Sequence, residues 1–341
     1  MTKIVRSIAP MRIGLAGGGS DIPAYVRSFG GNVLNATFDK FVQTSIVIKN
    51  SRKKYEPKFA SIDLSVIENY SSVKYLSIHK AVYDYFDSIS DLIKDLKQIE
   101  VYTYTEIPHG SGLGGSSTLT TSLVKAFDRL LDLNYTDYDI AKISIHIERT
   151  ICNLHGGMQD QVASSYGGVN FIKFYKDLDF NVIPININSD FLLELQSNLL
   201  LFYTGKSRFS DKIISDQEKS LTNSESLEAM HQIKNEAINL YQAITKNDIK
   251  LIHEVINHGW EEKKKTSASI SNSAIDEIIN TAKKNKASAA KVSGAGGGGF
   301  ILFFVDPINK FNLKNSLSNS QESYFIDNIF FDSQGAKAWI I

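Results

Sequence analysis

The chain has 341 residues, 43% hydrophobic and 22% charged, a profile that excludes a disordered or fibrous protein and suits two packed cores. Lys+Arg and Asp+Glu both number 37, so the charge balance offers no footing for a nucleic-acid or membrane-surface partner. A single cysteine, Cys152, excludes an intrachain disulfide and a thiolate metal cluster; beside a helix it reads as a small core residue.

The N-terminal stretch MTKIVRSIAPMRIGLAGGG lacks the apolar block of a signal peptide, and no run nears ~18 uninterrupted apolar residues. A cytoplasmic location is expected. The first ~50 residues alternate as a sheet does, and over 42–49 one face carries Val42, Thr44, Ile46 and Ile48. Residues 76–96 predict a helix. Residues 98–107 alternate again, with Ile99, Val101, Thr103, Thr105 and Ile107 on one side, until Pro108 stops the strand. A helix is predicted from Ser116, with Leu119, Leu123, Phe127, Leu130 and Leu131 at helical spacing. A second spans roughly 136–154, opened by a Thr136/Asp139 capping box and carrying the stripe Ile140, Ile143, Ile147, Ile151 and Leu154. From 210 to 285 the chain is polar and helical, which sets a boundary near 185–195 and two units, 1–190 and 191–341. Within it Glu261-Glu262-Lys263-Lys264-Lys265 reads as a solvated helix face. A sheet signal returns at 300–305. Strands and helices mix without strict alternation, which predicts an α+β fold rather than a doubly wound sheet.

Between the strand and the helix lies PHGSGLGGSST, residues 108–118. The first N–H groups of a helix have no internal partner, and the aligned peptide dipoles make that end positive. Glycines let an anion approach the amides, so the segment reads as a cradle for a polyphosphate. An ordinary strand-to-helix turn is the alternative, but it needs far fewer glycines. No lysine follows the glycines, which excludes a Walker A loop. Gly110, Gly112 and Gly115 satisfy GxGxxG, yet a dinucleotide fold wants an acidic residue closing a second strand about 20 residues on. Here the helix fills that distance, and Asp132 sits at its end. The segment KVSGAGGGGF (291–300) repeats the pattern at Gly294, Gly296 and Gly299, with a helix expected before it and a strand after. It reads as a second bare backbone surface for a ligand, with a hinge as the alternative.

Three segments, APMRIGLAGGGSDIPAY, PHGSGLGGSST and KVSGAGGGGF, spread in this order over nearly the whole chain. Together they resemble the three motifs of the GHMP small-molecule kinases, the family of galactokinase and the homoserine, mevalonate and phosphomevalonate kinases. The form GLAGGGSD is most similar to that of the family's D-glycero-D-manno-heptose 7-phosphate kinases. The resemblance implies an N-terminal domain like ribosomal protein S5 domain 2, a ferredoxin-like C-terminal domain, and an active site between them that uses ATP and Mg2+. It implies ATP contacts from Pro108, Gly110, Ser111, Gly112, Leu113, Gly114, Gly115, Ser116 and Ser117, and from Gly294, Gly296 and Gly297. It implies Ser116, one register position from Ser117, and Glu148 as magnesium ligands. Asp160, in Gly157-Met158-Gln159-Asp160-Gln161, falls on the catalytic aspartate, Arg12 on the basic residue that opens the first motif, and Asp21 on the aspartate that grips sugar hydroxyls. Galactokinase carries a Glu-His pair where this chain has Gly18-Gly19. That departure disfavours galactose and leaves room, beside Ser20 and Asp21, for a bulkier sugar. Gly115 stands where the family often has serine.

These residue types suit phosphoryl transfer, in which the protein positions groups and neutralises charge. Asp160 would accept, or electrostatically assist removal of, the substrate hydroxyl proton; Arg12 would keep it ionised and stabilise transition-state oxygens. A phosphate on the sugar needs its own cationic clamp, for which Lys206 and Arg208 are the candidates. His109 reads as a loop residue. The expected reaction is ATP-dependent phosphorylation of the anomeric hydroxyl of D-glycero-D-manno-heptose 7-phosphate to the 1,7-bisphosphate, feeding nucleotide-activated heptose synthesis. Alternatives are a fucose or mannose 1-kinase, a catalytically silent regulator of the same fold, and an oxidoreductase resting on GxGxxG. The joint presence of Asp160, Glu148, Ser116 and Arg12 speaks against a silent protein.

Overall fold

The computed structural model describes residues 2–206, 210–318 and 323–341. Twelve strands lie among them: β1 (Lys3–Ala16), β2 (Gly31–Ile48), β3 (Lys58–Ser61), β4 (Val66–Asn69), β5 (Ile99–Thr105), β6 (Val169–Phe174), β7 (Phe180–Pro184), β8 (Leu199–Tyr203), β9 (Ala287–Val292), β10 (Phe300–Val305), β11 (Tyr324–Ile326) and β12 (Lys337–Ile340). The first sheet runs β12-β1-β2-β5-β3-β4, with β6 and β7 branching from β2. The branch arises because β2 is 18 residues long. Its later half pairs with β5 and its earlier half with β6, while β1 follows it along the other edge. Among the described residues β3–β5 is the one parallel pair. The antiparallel plan fits the α+β expectation and leaves no doubly wound sheet.

The second sheet has the order β11-β8-β10-β9, all antiparallel. Counted along the chain this is 4-1-3-2, with helices between β8 and β9 and one, Pro307–Leu317, between β10 and β11. That is the ferredoxin-like arrangement. LLLFY in β8 and FILFFV in β10 are continuous apolar runs because both of their faces are covered. Leu200, Phe202, Ile301 and Phe303 pack on Trp260, Ile275 and Ile279. The opposite faces, with Leu201, Phe300 and Leu302, join Met11, Ile13, Leu34 and Phe38 of the first sheet in one core. The two sheets are therefore fused through apolar side chains, and the cleft between their loops is held by packing rather than by a linker.

Several predicted elements appear where expected. The helix Gly115–Leu131 buries Leu123, Phe127 and Leu131, and Phe86 stacks on Phe127 with centroids 5.2 Å apart. Cys152 packs against that core. The capping box is present: the Thr136 hydroxyl accepts from Asp139 N–H, and the Asp139 carboxylate accepts from Thr136 N–H. No described helix is long and apolar enough to cross a membrane.

Other expectations change. The helix predicted over 76–96 is Ser77–Ile89 followed by a short Asp91–Asp95, divided at Ser90, whose backbone is extended. The helix over 136–154 is α-helical from Asp137 to Ile145 and then widens into a π-turn, His146–Ile151. One extra residue in that turn rotates the apolar stripe, so Ile147 is buried while Ile151 is 46% exposed. The segment directly before the second glycine run is β9, not a helix. ASAAKV carries little intrinsic strand preference, and pairing with β10 makes it a strand. The charge run 261–265 is not wholly solvated, because Glu262 and Lys263 are buried. Finally, the chain end returns to the first sheet: β12 pairs with β1, and Asp332 N–H donates to Thr37 O at 2.9 Å.

Candidate active site

The loop after β5 turns its carbonyls into the protein. Ser111 O accepts from Phe300 N–H at 2.8 Å, Leu113 O from Arg12 N–H at 3.3 Å, and Gly114 O from Thr118 N–H at 2.9 Å. Gly112 O accepts from the Arg12 guanidinium at 2.7 Å and from Ser293 Oγ at 3.1 Å. Leu113 is fully buried and pins the loop. Among the described residues the amides of 110–117 meet no protein acceptor. They run directly into the first turn of the helix Gly115–Leu131. A row of free donors at the positive end of a 17-residue helix is an anion cradle built from backbone alone.

The second glycine loop closes the β9–β10 hairpin and lies on the first. A Cβ at Gly112 would stand 2.5 Å from Ser293 O, and one at Gly294 would stand 2.6 Å from Gly112 O. These side chains are missing because two backbones touch. Three amides of the second loop are taken by the protein: Ser293 N–H donates to Phe300 O at 2.8 Å, Gly297 N–H to Ile270 O at 2.7 Å, and Gly299 N–H to Lys206 O at 3.0 Å. Gly294 reaches the cavity, while Gly296 and Gly297 lie behind it against Ile270. The loop is a buttress, not a hinge.

Below the cradle is a cavity of about 520 Å³. Arg12, on β1 and 4% exposed, binds Asp160 through two parallel bonds, Nε–Oδ1 at 2.6 Å and Nη2–Oδ2 at 2.8 Å. With the bond to Gly112 O, this ties the carboxylate, the first strand and the phosphate loop together. Asp160 belongs to the helix Gln159–Tyr166, whose start is held by Asp21. The Asp21 carboxylate accepts from Gln159 N–H, Gln159 Nε2 and Gly19 N–H, each at 3.0 Å. Gly157 is obligatory there, since a Cβ would overlap that carboxylate. Asp21 lines the cavity, yet most of its accepting capacity anchors Asp160's helix.

On the other side of the cradle, the π-turn directs Glu148 inward. Glu148 is 2% exposed; Oε1 accepts from Ser116 Oγ at 2.9 Å and Oε2 from Gln161 Nε2 at 2.6 Å. Arg149 stands 3.6 Å from Glu148 and donates to Gly157 O at 3.0 Å.

The structure thus brings Arg12, Gly18, Gly19, Asp21, Gly110, Ser111, Gly112, Gly114, Gly115, Ser116, Ser117, Glu148, Asp160 and Gly294 to one cavity. It leaves others outside. Pro108 lines a small neighbouring hollow. Ser20 is buried and donates to Gly17 O and Asn32 O, which shapes the turn rather than facing a ligand. Of the two candidates for the sugar-phosphate clamp, Lys206 is exposed and is not among the residues that line the cavity, and Arg208 lies outside the described residues. His109 does reach the cavity mouth, paired with Asp63 at 2.8 Å.

Sequence reading passes over two lysines on the cavity wall, Lys263 and Lys291. Lys263 is 6% exposed, and burial pushes its ammonium down to about 8. Burial, and then the neighbouring Lys263 and Arg12, push Lys291 down to about 7. A signal for Lys263 exists: with Ile256 and Trp260 it occupies positions i, i+4 and i+7 of a buried stripe.

A backbone cradle facing a carboxylate that a guanidinium holds in place is equipment for moving a phosphoryl group onto a small alcohol, and the class is that of small-molecule phosphotransferases. Comparison gives the class its family. Residues 77–168 match the GHMP kinases N terminal domain and residues 240–322 the GHMP kinases C terminal domain. The D-glycero-alpha-D-manno-heptose 7-phosphate kinase of Campylobacter jejuni is 36% identical over 99% of this chain and 100% of its own length. The crystal structure of a D-glycero-D-manno-heptose 1-phosphate kinase from Bacteroides thetaiotaomicron superposes with a TM-score of 0.80 at 32% identity, covering 98% of both chains. The L-fucokinase/L-fucose-1-P guanylyltransferase of Bacteroides fragilis is 27% identical over 88% of this chain and 34% of its own. The chain belongs to the GHMP kinases.

Proposed function

We propose that this ATP-dependent sugar kinase phosphorylates the C1 hydroxyl of D-glycero-D-manno-heptose 7-phosphate to give the 1,7-bisphosphate. The observation that carries the reading is the Arg12–Asp160 pair, fixed within bonding distance of the loop that would hold the terminal phosphate of ATP. Full-length similarity to a heptose 7-phosphate kinase supports the sugar, as do Gly18 and Gly19, which leave the sugar side of the cavity bare.

In this reading the free amides of 110–117 take the triphosphate and Asp160 accepts the proton of the attacking hydroxyl. Arg12 acts by holding Asp160, since three of its bonds go to Asp160 and Gly112. Ser116 Oγ and the Glu148 carboxylate suit Mg2+, a hard cation that keeps several waters and takes few protein ligands. No cluster of three or more His, Cys, Asp or Glu stands ready for a metal among the described residues, so water and nucleotide phosphates would complete the shell. When bound, the ion would neutralise phosphate charge. We place the reaction in the cytoplasm, between the units 1–190 and 191–341, with sugar phosphate and ATP as the partners.

The test is ³¹P NMR of purified protein with ATP, Mg2+ and heptose 7-phosphate. The 1,7-bisphosphate is expected, with turnover lost in Asp160→Asn. Turnover of fucose or mannose instead overturns the substrate; sugar-dependent ADP release that survives Asp160→Asn overturns the role of Asp160.

A further inference from the structure

Two cations face the sugar side of the cavity without the partner a buried ammonium normally has. Lys263, on the helix Ile249–Lys265, donates from Nζ to Gly294 O at 2.6 Å. Its Nζ also stands 4.0 Å from where a Cβ at Gly18 would be. Lys291, on β9, donates from Nζ to Leu15 O at 3.1 Å. Among the described residues no carboxylate lies within ion-pair distance of either ammonium. The nearby carboxylates are otherwise engaged, Asp160 by Arg12 and Asp21 by Gln159 and Gly19.

Burying an ammonium is costly unless an anion meets it, and a carbonyl is a weak substitute. Arg12 is neutralised by Asp160, and Asp21 lies near Lys263 without reaching ion-pair distance, so the two ammoniums leave this wall with a net positive charge. Lys291 is anchored at Leu15 of the glycine motif that opens the chain, and Lys263, held at Gly294, passes over Gly18 of the same motif. The phosphate cradle presents the amides of 110–117, whereas the two ammoniums stand at Leu15 and Gly18 of the first motif. A phosphate between the lysines is therefore more readily the sugar's own than the terminal phosphate of ATP.

We propose that Lys263 and Lys291 form one seat for a phosphate dianion, and that its occupant is the phosphate already carried by the sugar substrate. This rests on the sugar-phosphate reading above. It assigns the clamp to the second sheet and its helix, in place of Lys206 and Arg208. The charged groups facing Lys263 are Asp21 in the first motif, Arg12 on β1 and Asp160 on its helix; those facing Lys291 are Lys263 and Arg12. Because both ammoniums hold their protons weakly when the seat is empty, phosphate binding near pH 8 draws protons from solvent.

The first experiment is independent of the sugar. Inorganic phosphate is titrated calorimetrically into the full chain at pH 8 in two buffers of different ionisation enthalpy. Net proton uptake is expected for the wild type, and its loss in Lys263→Met and in Lys291→Met. Uptake that persists in both variants overturns the seat. The second experiment compares heptose 7-phosphate with heptose by their ratio of kcat/KM. Each Met variant is expected to lower that preference by about 10- to 100-fold, the loss of one charged hydrogen bond. An unchanged preference with a raised KM for ATP overturns the assignment to the sugar and moves the occupant to the nucleotide. If heptose 7-phosphate is not turned over at all while lysine-dependent uptake persists in the wild type, the substrate falls and the seat stands. Replacing an unpaired ammonium by methionine is expected to hold or raise the thermal midpoint. Should a Met variant not fold, Lys263→Gln and Lys291→Arg give the same two readouts, and the arginine, which keeps its charge, is expected to retain phosphate binding.

Discussion

The two glycine loops look alike in sequence and do different work. Residues 111–114 turn their carbonyls inward while the amides of 110–117 stay free, whereas the loop 293–299 commits amides to Ile270 and Lys206 and sets its backbone against Gly112. One loop is bare toward a ligand; the other is bare largely toward its neighbour. A glycine run therefore reports close backbone approach, and sequence does not say whether the approaching group is a phosphate or another stretch of chain.

Substitutions can separate the two roles. The largest effect is expected at Gly114, whose φ is +80° and whose added Cβ would stand 3.1 Å from Asp160 Oδ2. Gly114→Ala displaces the Asp160 carboxylate and should lower kcat by about 100-fold, measured by steady-state ADP release. Next comes Glu148→Gln, which removes the charge beside Ser116. The Mg2+ concentration for half-maximal rate should rise about tenfold or more, while the thermal midpoint moves little. At the seam between the loops, Gly112→Ala and Gly294→Ala should each cost about 1–3 kcal/mol of unfolding free energy in denaturant titrations. Because both act on one contact, the double variant should lose less than the sum; strict additivity would mean the loops do not support each other.

The smallest effect is a pH dependence. Lys263 and Lys291 are held at about 8 and about 7, below their ordinary 10.5. Between those values the unfolded chain binds more protons than the folded one, so their contribution to stability grows as pH rises from about 7 to about 10. Thermal midpoints across that range should rise more in the wild type than in Lys263→Met. Phosphate affinity should fall over the same range, as the ammoniums lose their protons.

Much of this was legible in the chain. Alternation over 98–107, seen as the strand Ile99–Thr105, helical spacing from Leu119 to Leu131 and the Thr136/Asp139 box are local signals, and the structure carries them. The site residues with motif context, Arg12, Asp160, Ser116 and Glu148, come together in one cavity. Lys263 was obscured because a charge run reads as solvated unless the buried stripe through Ile256 and Trp260 is followed into it. β9 was obscured because alanines carry no strand signal.

By itself the sequence determined the elements with a clear local period, the order of the three motifs and the residue types that phosphoryl transfer needs, since these depend on period, turn chemistry and side-chain inventory. Tertiary structure alone decided which glycines line the cavity and which face each other, and that Arg12 grips Asp160 rather than standing free. It also decided that two lysines from the second sheet's side line the cavity. Those facts depend on contacts between residues 100 to 276 positions apart in the chain, and no local pattern encodes which partner a buried charge will meet.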